Sequence, residues 1–392
     1  MVKHTRDVAW IAGIVYFAQG AIGISGIALP LFMRGLNWSV SEITAVSSLA
    51  AFPWAFKILY GLLSDVFPLF GYRRKSYLIL FSILSAFGWL FLVVLPSEKQ
   101  WILASLMVAN LGFAATDVIT DGLIVEHSTE FTSHIYQSIA WGSRSFGAIF
   151  SGVIGGWLAA NWPPEKVFLI TMLLPLAVTF GALFIREKKR FCGPFHSVWA
   201  PIKRCFHLMM TQNLRLFAAL LVVASVSSSF GLPFFFFMKE TLGFRETFLG
   251  LLISIGWLGA MAGSVIYGQW LRNISPKIIL RWAIWINSLN IVSTLFILDE
   301  KSAFILIFIG GIMSCITILP IMSAAAVLTH HSGVESSLFA ILMSVYNFGQ
   351  ILFGYTGGKL FNVVGLYPLI VLTGAISLFG LIFVELLEFE KK

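Results

Sequence analysis

Hydrophobic residues run through this chain in long unbroken stretches separated by short polar ones. Twelve such stretches lie near 9–33, 43–63, 77–95, 101–126, 135–160, 167–185, 214–238, 247–271, 277–298, 303–328, 335–361 and 366–387. Crossing the hydrocarbon of a bilayer takes about 20 apolar residues in a helix, and these stretches are of that order. A membrane β-barrel would instead show short segments alternating polar and apolar positions. The pattern therefore predicts an all-α polytopic membrane protein with twelve transmembrane helices. The longest polar interruption, 186–212, opens on Arg186-Glu187-Lys188-Lys189-Arg190 and divides the helices six and six. The expected organisation is an N-terminal six-helix half over 1–190, a cytoplasmic linker over 191–213 and a C-terminal six-helix half over 214–392.

Two parallel six-helix repeats joined by a basic loop are the architecture of the major facilitator superfamily. An internal echo supports the repeat. Phe146-Gly147, Gly152 and Gly155-Gly156 in the fifth segment return at one constant interval as Phe348-Gly349, Gly354 and Gly357-Gly358 in the eleventh. Small residues at such spacings let helix backbones approach closely, so a shared pattern implies equivalent packing.

Composition agrees with the pattern. The 392 residues are 58% hydrophobic and 11% charged, with a mean hydropathy of +0.90. Soluble domains carry about 25% charged residues. The net charge of +8 is not spread as a nucleic-acid footprint. Its basic residues concentrate at Lys3 and Arg6, Arg73-Arg74-Lys75, Arg186–Arg190 and Lys203-Arg204, and Lys391-Lys392, all on one side if the N-terminus is inside. That is the positive-inside bias, and it predicts cytoplasmic termini in a cell (inner) membrane. The run from Trp10 to Met33 is too long for a signal-peptide core and reads as the first span. Three cysteines give no disulfide framework, and Cys192, Cys205, His196 and His207 match no zinc spacing, so no metal and no cofactor are expected.

Four charged residues fall deep inside apolar runs, away from their ends, all in the first half: Lys57, Asp117, Asp121 and Arg144. An ionised side chain at the bilayer centre costs about 2.5 kcal/mol or more, so it persists only when paired, hydrated or functional. Asp117 and Asp121 are four apart on one helical face, which Asn110 extends outward. Helix rise places Asp117 about 14 Å above Glu126, Lys57 about 12 Å above Asp65 and Arg144 about 15 Å above the start of its helix. Lys57, Asp117 and Arg144 thus share one depth, with Asp121 nearer the cytoplasm. Pro53 removes a backbone hydrogen bond one turn above Lys57 and is expected to bend the second helix.

This constellation reads as a substrate and proton site. Asp117 and Asp121 are the proton-coupling candidates. Lys57, Asn110, Asp117, Gln137, Trp141 and Arg144 are the substrate-binding candidates, with Tyr346, Asn347 and Gln350, and also Asn287 and Asn290, as a polar wall from the second half. Gln137, Trp141 and Arg144 form one stripe, where a Trp and an Arg suit a flat heterocycle. The competing structural reading is a pair of salt bridges locking three helices. Asp65, Arg73, Arg74 and Glu126 are candidates for a cytoplasmic gate. His330-His331 read more readily as interfacial residues than as proton relays, and Phe234 to Phe237 as lipid-facing than as ligand-stacking, so neither group is assigned to the site.

Three segments carry a resemblance: PWAFKILYGLLSD (53–65) running on to PLFGYRRKSY (68–77), DVITDGLIVE (117–126) and QSIAWG (137–142). Together they resemble the folate–biopterin transporter family of the major facilitator superfamily. The match covers helices two to five. Its pattern falls here on Lys57, Asp117, Asp121, Glu126, Gln137, Ser138, Trp141 and Gly142, with Gly122 where an Ala is usual. The resemblance implies import of folate or pterins, driven by protons.

The leading expectation is a secondary transporter of folate- or pterin-like organic solutes, proton-coupled, working by alternating access as a monomer. Its partners are a small-molecule substrate, protons and the lipid bilayer, and no nucleic acid. The alternatives are transport of another anionic or amphipathic solute, muropeptide- or acyl-thioester-like, and a membrane assembly factor on the same fold. No phosphate loop, metal spacing or nucleophile motif points to an enzyme.

Overall fold

The computed structural model describes residues 2–128, 133–189, 196–271, 274–330 and 334–389. Arg190, Cys192, His331, Lys391 and Lys392, and the side chains of Lys3, Arg6 and His196, all named above, lie outside what is described.

Each predicted segment is helical. The spans are α1 Asp7–Gly35, α2 Val40–Val66, α3 Lys75–Val94, α4 Lys99–His127, α5 Ser133–Asn161, α6 Pro164–Leu183, α7 Gln212–Thr241, α8 Glu246–Leu271, α9 Pro276–Phe296, α10 Glu300–Thr329, α11 Ser337–Val364 and α12 Leu366–Leu386. Eleven of them are long and apolar enough to cross a membrane. The remaining one, α5, has 29 residues and is about 43 Å long, but Gln137, Ser138, Ser143, Arg144 and Ser145 make it less apolar. Between α6 and α7 lies a short helix, His196–Met209.

The expected irregularity in α2 is present. Pro53 heads a tight 3-10 turn over Phe52–Phe56, and regular helix resumes at Lys57. The Tyr60 hydroxyl donates to the Pro53 carbonyl at 3.0 Å and closes the turn from within. Lys57 therefore starts a new helical stretch beside a break.

The chain forms two compact units. The first comprises Met1–Asn37, Leu49–Val198 and Glu246–Ser254, and the second Trp38–Ser48, Trp199–Arg245 and Ile255–Lys392. Each takes the opening turns of α2 or α8 from the other's main stretch of sequence. The first is centred on Ile11, Val15, Leu78, Phe113, Ile119 and Val178. The second is centred on Phe217, Leu220, Leu280, Ala325, Leu342 and Val384.

The glycine echo has a geometric meaning. In the first unit, a Cβ on Gly147 would sit 2.3 Å from the Phe17 carbonyl oxygen, and one on Gly155 would sit 2.7 Å from that of Ile24, both on α1. Gly152 and Gly156 instead meet the start of α8, at 2.7 Å from the Gly250 oxygen and 2.6 Å from that of Glu246. In the second unit, Gly349 and Gly357 meet α7 at Ser225 and Ser229, while Gly354 and Gly358 meet the start of α2 at Ser48 and Thr44. Each of these approaches is 2.2–2.8 Å from an added Cβ, so a side chain at any of them would force a neighbour to shift. Corresponding glycines thus seat α5 and α11 against corresponding neighbours.

A second correspondence involves lysines. Lys75, at the start of α3, donates to the carbonyls of Leu183 (2.6 Å) and Ile185 (3.1 Å) at the end of α6. Lys277, at the start of α9, donates to those of Glu385 (2.6 Å) and Leu387 (3.3 Å) at the end of α12. All three residues of each clamp are separated by the same interval as the glycines. A cation is favoured where the last carbonyls of a helix are orphaned.

One expectation is corrected here. Phe234 and Phe236 do not face lipid; they are buried, and Phe237 packs edge-on against Tyr367. The end of α7 is irregular, a π turn over Phe237–Thr241 that follows this aromatic run.

Candidate substrate and proton site

The first unit brings three helices together around Asp117. This residue is only 4% exposed, on an α4 face whose neighbours Thr116 and Thr120 return their hydroxyls to their own helix. Lys57 reaches it from α2, with Nζ 2.7 Å from Oδ2. Gln19 reaches it from α1, donating from Nε2 to Oδ1 at 2.9 Å. Both carboxylate oxygens are therefore engaged. Lys57 also lies 5.0 Å from the centre of the Trp54 ring, and Trp54 Nε1 donates to Asn110 Oδ1 at 2.8 Å. The lysine is held between an anion and an aromatic face, and Asn110 fixes that face. The shared depth of Lys57 and Asp117 has become direct contact.

Asp121, one turn nearer the cytoplasm, is in a different setting. It is exposed, and its partner is the Tyr16 hydroxyl, which donates to Oδ1 from α1. Arg144 does not join the Lys57–Asp117 pair. Its guanidinium lies 5.5 Å from the centre of the Trp141 ring, close enough for its charge to act on Asp121 and Tyr16. Trp141 and Arg144, three apart on α5, thus form one stacked surface rather than two plates around a slot. Gln137 is exposed on the same stripe.

The four gate candidates meet. Arg73 Nη2 and Arg74 Nη2 each lie 2.7 Å from Asp65 Oδ1, and the two guanidinium groups lie 3.4 and 3.1 Å from Glu126 Oε1. Arg74 is buried and also donates to Ser64 Oγ at 2.7 Å. It has room because residue 122 is glycine: a Cβ there would sit 2.7 Å from Arg74 Cζ. Glu187 completes the cluster. Its carboxylate accepts the backbone N–H groups of Arg73 (2.8 Å), Arg74 (3.1 Å) and Lys75 (2.8 Å), satisfying the open start of α3.

The second-unit candidates are arranged differently. Tyr346 is half-buried, and Gln350, one turn along α11, is exposed. Asn347 is half-buried beside them. Asn287 is buried and donates to Ser377 Oγ at 2.8 Å, and Asn290 donates to Ser314 Oγ at 3.0 Å, so both join helices.

Tyr16, Gln19, the indole role of Trp54 and Glu187 were not among the residues singled out from sequence. A signal existed for the first two: they are polar, three apart in an apolar run, and so share a face of α1. Glu187 is a lone acid in a basic run, which hid it.

A model of the BT1 family matches residues 19–387, far beyond the helices that carried the resemblance. The chain belongs to the BT1 family. The folate-biopterin transporter of Synechocystis sp. is 30% identical, over 95% of this chain and 80% of that protein. Folate transporter 2 of Plasmodium falciparum is 25% identical, over 88% and 78%. Two solved structures share the fold at a TM-score of 0.79. One is a POT family transporter in complex with a thioalcohol-conjugated peptide (12% identity, 97% of this chain and 96% of that one). The other is the nucleoside transporter NupG (13% identity, 97% and 99%). The architecture is the major facilitator fold. By family this BT1 protein is a multi-pass membrane transporter and not an enzyme.

Proposed function

We propose that the protein is a proton-coupled secondary transporter of folate- or pterin-like organic solutes. It works as a monomer by alternating access in a cell inner membrane, with both termini cytoplasmic. The names of its relatives support the cargo. The observation that carries the mechanism is the buried Lys57–Asp117 pair, with Gln19 on the second carboxylate oxygen.

A pair of opposite charges is far less costly in the membrane than either charge alone, so it serves as a switch. An anionic carboxylate on the solute competes for Lys57, and Asp117 is then left without its counter-ion. Protonation of a carboxylate restores neutrality, which links solute binding to proton uptake. Alternatively, Asp117 accepts the paired N–H donors of a pterin ring as a two-point contact. The stacked Trp141–Arg144 surface suits a flat heterocycle, and in the second unit Tyr346, Asn347 and Gln350 are proposed as polar substrate-binding residues. Asp65, Arg73, Arg74 and Glu126 are proposed to close the cytoplasmic side.

The test is uptake of labelled folate and biopterin into proteoliposomes under an imposed pH gradient. Saturable uptake that collapses with the gradient, and is abolished in Asp117→Asn and Lys57→Ala while both variants still insert, is the expected result. Absence of any saturable, gradient-dependent signal for either compound overturns the cargo.

A further inference from the structure

The sequence presents Asp117 and Asp121 as an equivalent pair, one turn apart on one helix. Their surroundings divide them. Asp117 is buried, and its two oxygens are taken by Lys57 and Gln19. Asp121 is exposed, and its contact is a neutral phenol, Tyr16. Tyr16 and Gln19 come from the same face of α1, so one helix supplies a different partner to each carboxylate. The charged groups acting on Asp121 are Asp117 on its own helix, Lys57 on α2 and Arg144 on α5, with Tyr16 on α1.

The geometry points to a division of labour: Asp121 is the carboxylate that loads and releases the transported proton, Tyr16 is its positioning residue, and Asp117 with Lys57 serves the solute. This rests on the proton-coupled reading above. Three physical arguments favour it. A proton carrier must be reachable by water, and Asp121 is exposed whereas Asp117 is enclosed. Its protonation must also not be blocked by a bound cation, and Asp117 has an ammonium at hydrogen-bond distance whereas Asp121 has a hydroxyl. Finally, a carrier must be able to exist neutral without leaving a bare charge beside it. In the solute-free protein, neutral Asp121 leaves only a phenol, but neutral Asp117 strands Lys57 in the membrane interior. The transfer itself is simple: the Asp121 carboxylate takes one proton from water on one side and returns it to water on the other. Tyr16 keeps its own proton and turns its hydroxyl between donating to the charged carboxylate and accepting from the neutral one.

The first part of the closing experiment needs no solute. Infrared difference spectra of the purified full-length protein in lipid, recorded between acid and neutral pH, report protonated carboxyl groups directly. Asp121→Asn is expected to remove the pH-dependent carboxyl band and Asp117→Asn to leave it. Tyr16→Phe, which deletes one hydroxyl, is expected to displace the midpoint of the band. Proteoliposomes holding labelled folate then separate the two roles. Asp121→Asn is expected to retain solute exchange but lose gradient-driven accumulation, whereas Asp117→Asn loses both. A band removed by Asp117→Asn and kept in Asp121→Asn overturns the assignment, and so does a band indifferent to both. If Asp121→Asn does not insert, Tyr16→Phe decides: an unmoved midpoint overturns the proposal. A band assigned to Asp121 in a protein that moves no folate leaves this inference standing while the cargo falls.

Discussion

At the scale of single residues, the membrane interior makes charge pairing the governing constraint. Lys57 and Asp117 have side chains only 19% and 5% exposed, so removing one partner leaves the other charge desolvated. Lys57→Met alone is expected to lower stability by roughly 3 kcal/mol, the usual cost of breaking a buried pair from one side. The double variant Lys57→Met, Asp117→Asn is expected to recover most of that loss while remaining inactive. Thermal unfolding in detergent checks the first outcome and the uptake assay the second. A double variant no more stable than the single one would show that the pair is not coupled. Gly122 raises a related point, because Arg74 occupies the space a side chain would need. Much of this site was legible: Lys57, Asp117 and Asp121 stand out because charge is rare in apolar runs. Their partners Tyr16 and Gln19 were harder to see, since uncharged polar residues are common in spans and cost little there.

At the scale of helices, the ends are where the chemistry is specific. Each lysine clamp closes two carbonyls at a helix end, and both use the same spacing. Lys75→Met and Lys277→Met are each expected to cost about 1–3 kcal/mol locally, the range for a lost hydrogen bond from a charged donor. Faster amide exchange at 185–189 in the first variant and 387–389 in the second is the measurement, and unchanged exchange would remove the clamp's role. Asp299 starts α10 with a capping box: its carboxylate accepts from the Ser302 backbone N–H at 2.7 Å, and the Ser302 hydroxyl returns to the Asp299 N–H. Hydrogen bonds from the Ser302 backbone and hydroxyl hold its carboxyl below the usual carboxylate range. Because it titrates lower in the folded state, the cap is intact above about pH 4 and is lost as pH falls through the folded value. Amide exchange at 300–303 is expected to rise on acidification in the native protein. In Asp299→Ala it is expected to be high already at neutral pH.

At the scale of the whole molecule, the two units repeat one packing scheme while only one carries the charged site. Gly147→Val and Gly349→Val are both expected to be damaging, Gly147→Val the more so, because an added Cβ would meet the Phe17 backbone oxygen at 2.3 Å in the first and the Ser225 hydroxyl, which can rotate, at 2.3 Å in the second. Overpacking on that scale costs at least about 1–3 kcal/mol, so both variants should be depleted from the membrane fraction. A protein that tolerates either one would break the equivalence. The sequence by itself determined the helices, their division six and six, and which residues were too costly to be accidental. It could do so because a bilayer demands continuous apolar runs and penalises charge residue by residue, and both demands are written locally along the chain. Only the tertiary structure decided which helices touch, and so which residue answers each charge. Lys57 was given to Asp117 and Tyr16 to Asp121, because those pairings depend on the approach of separate helices, which depth along a helix does not specify.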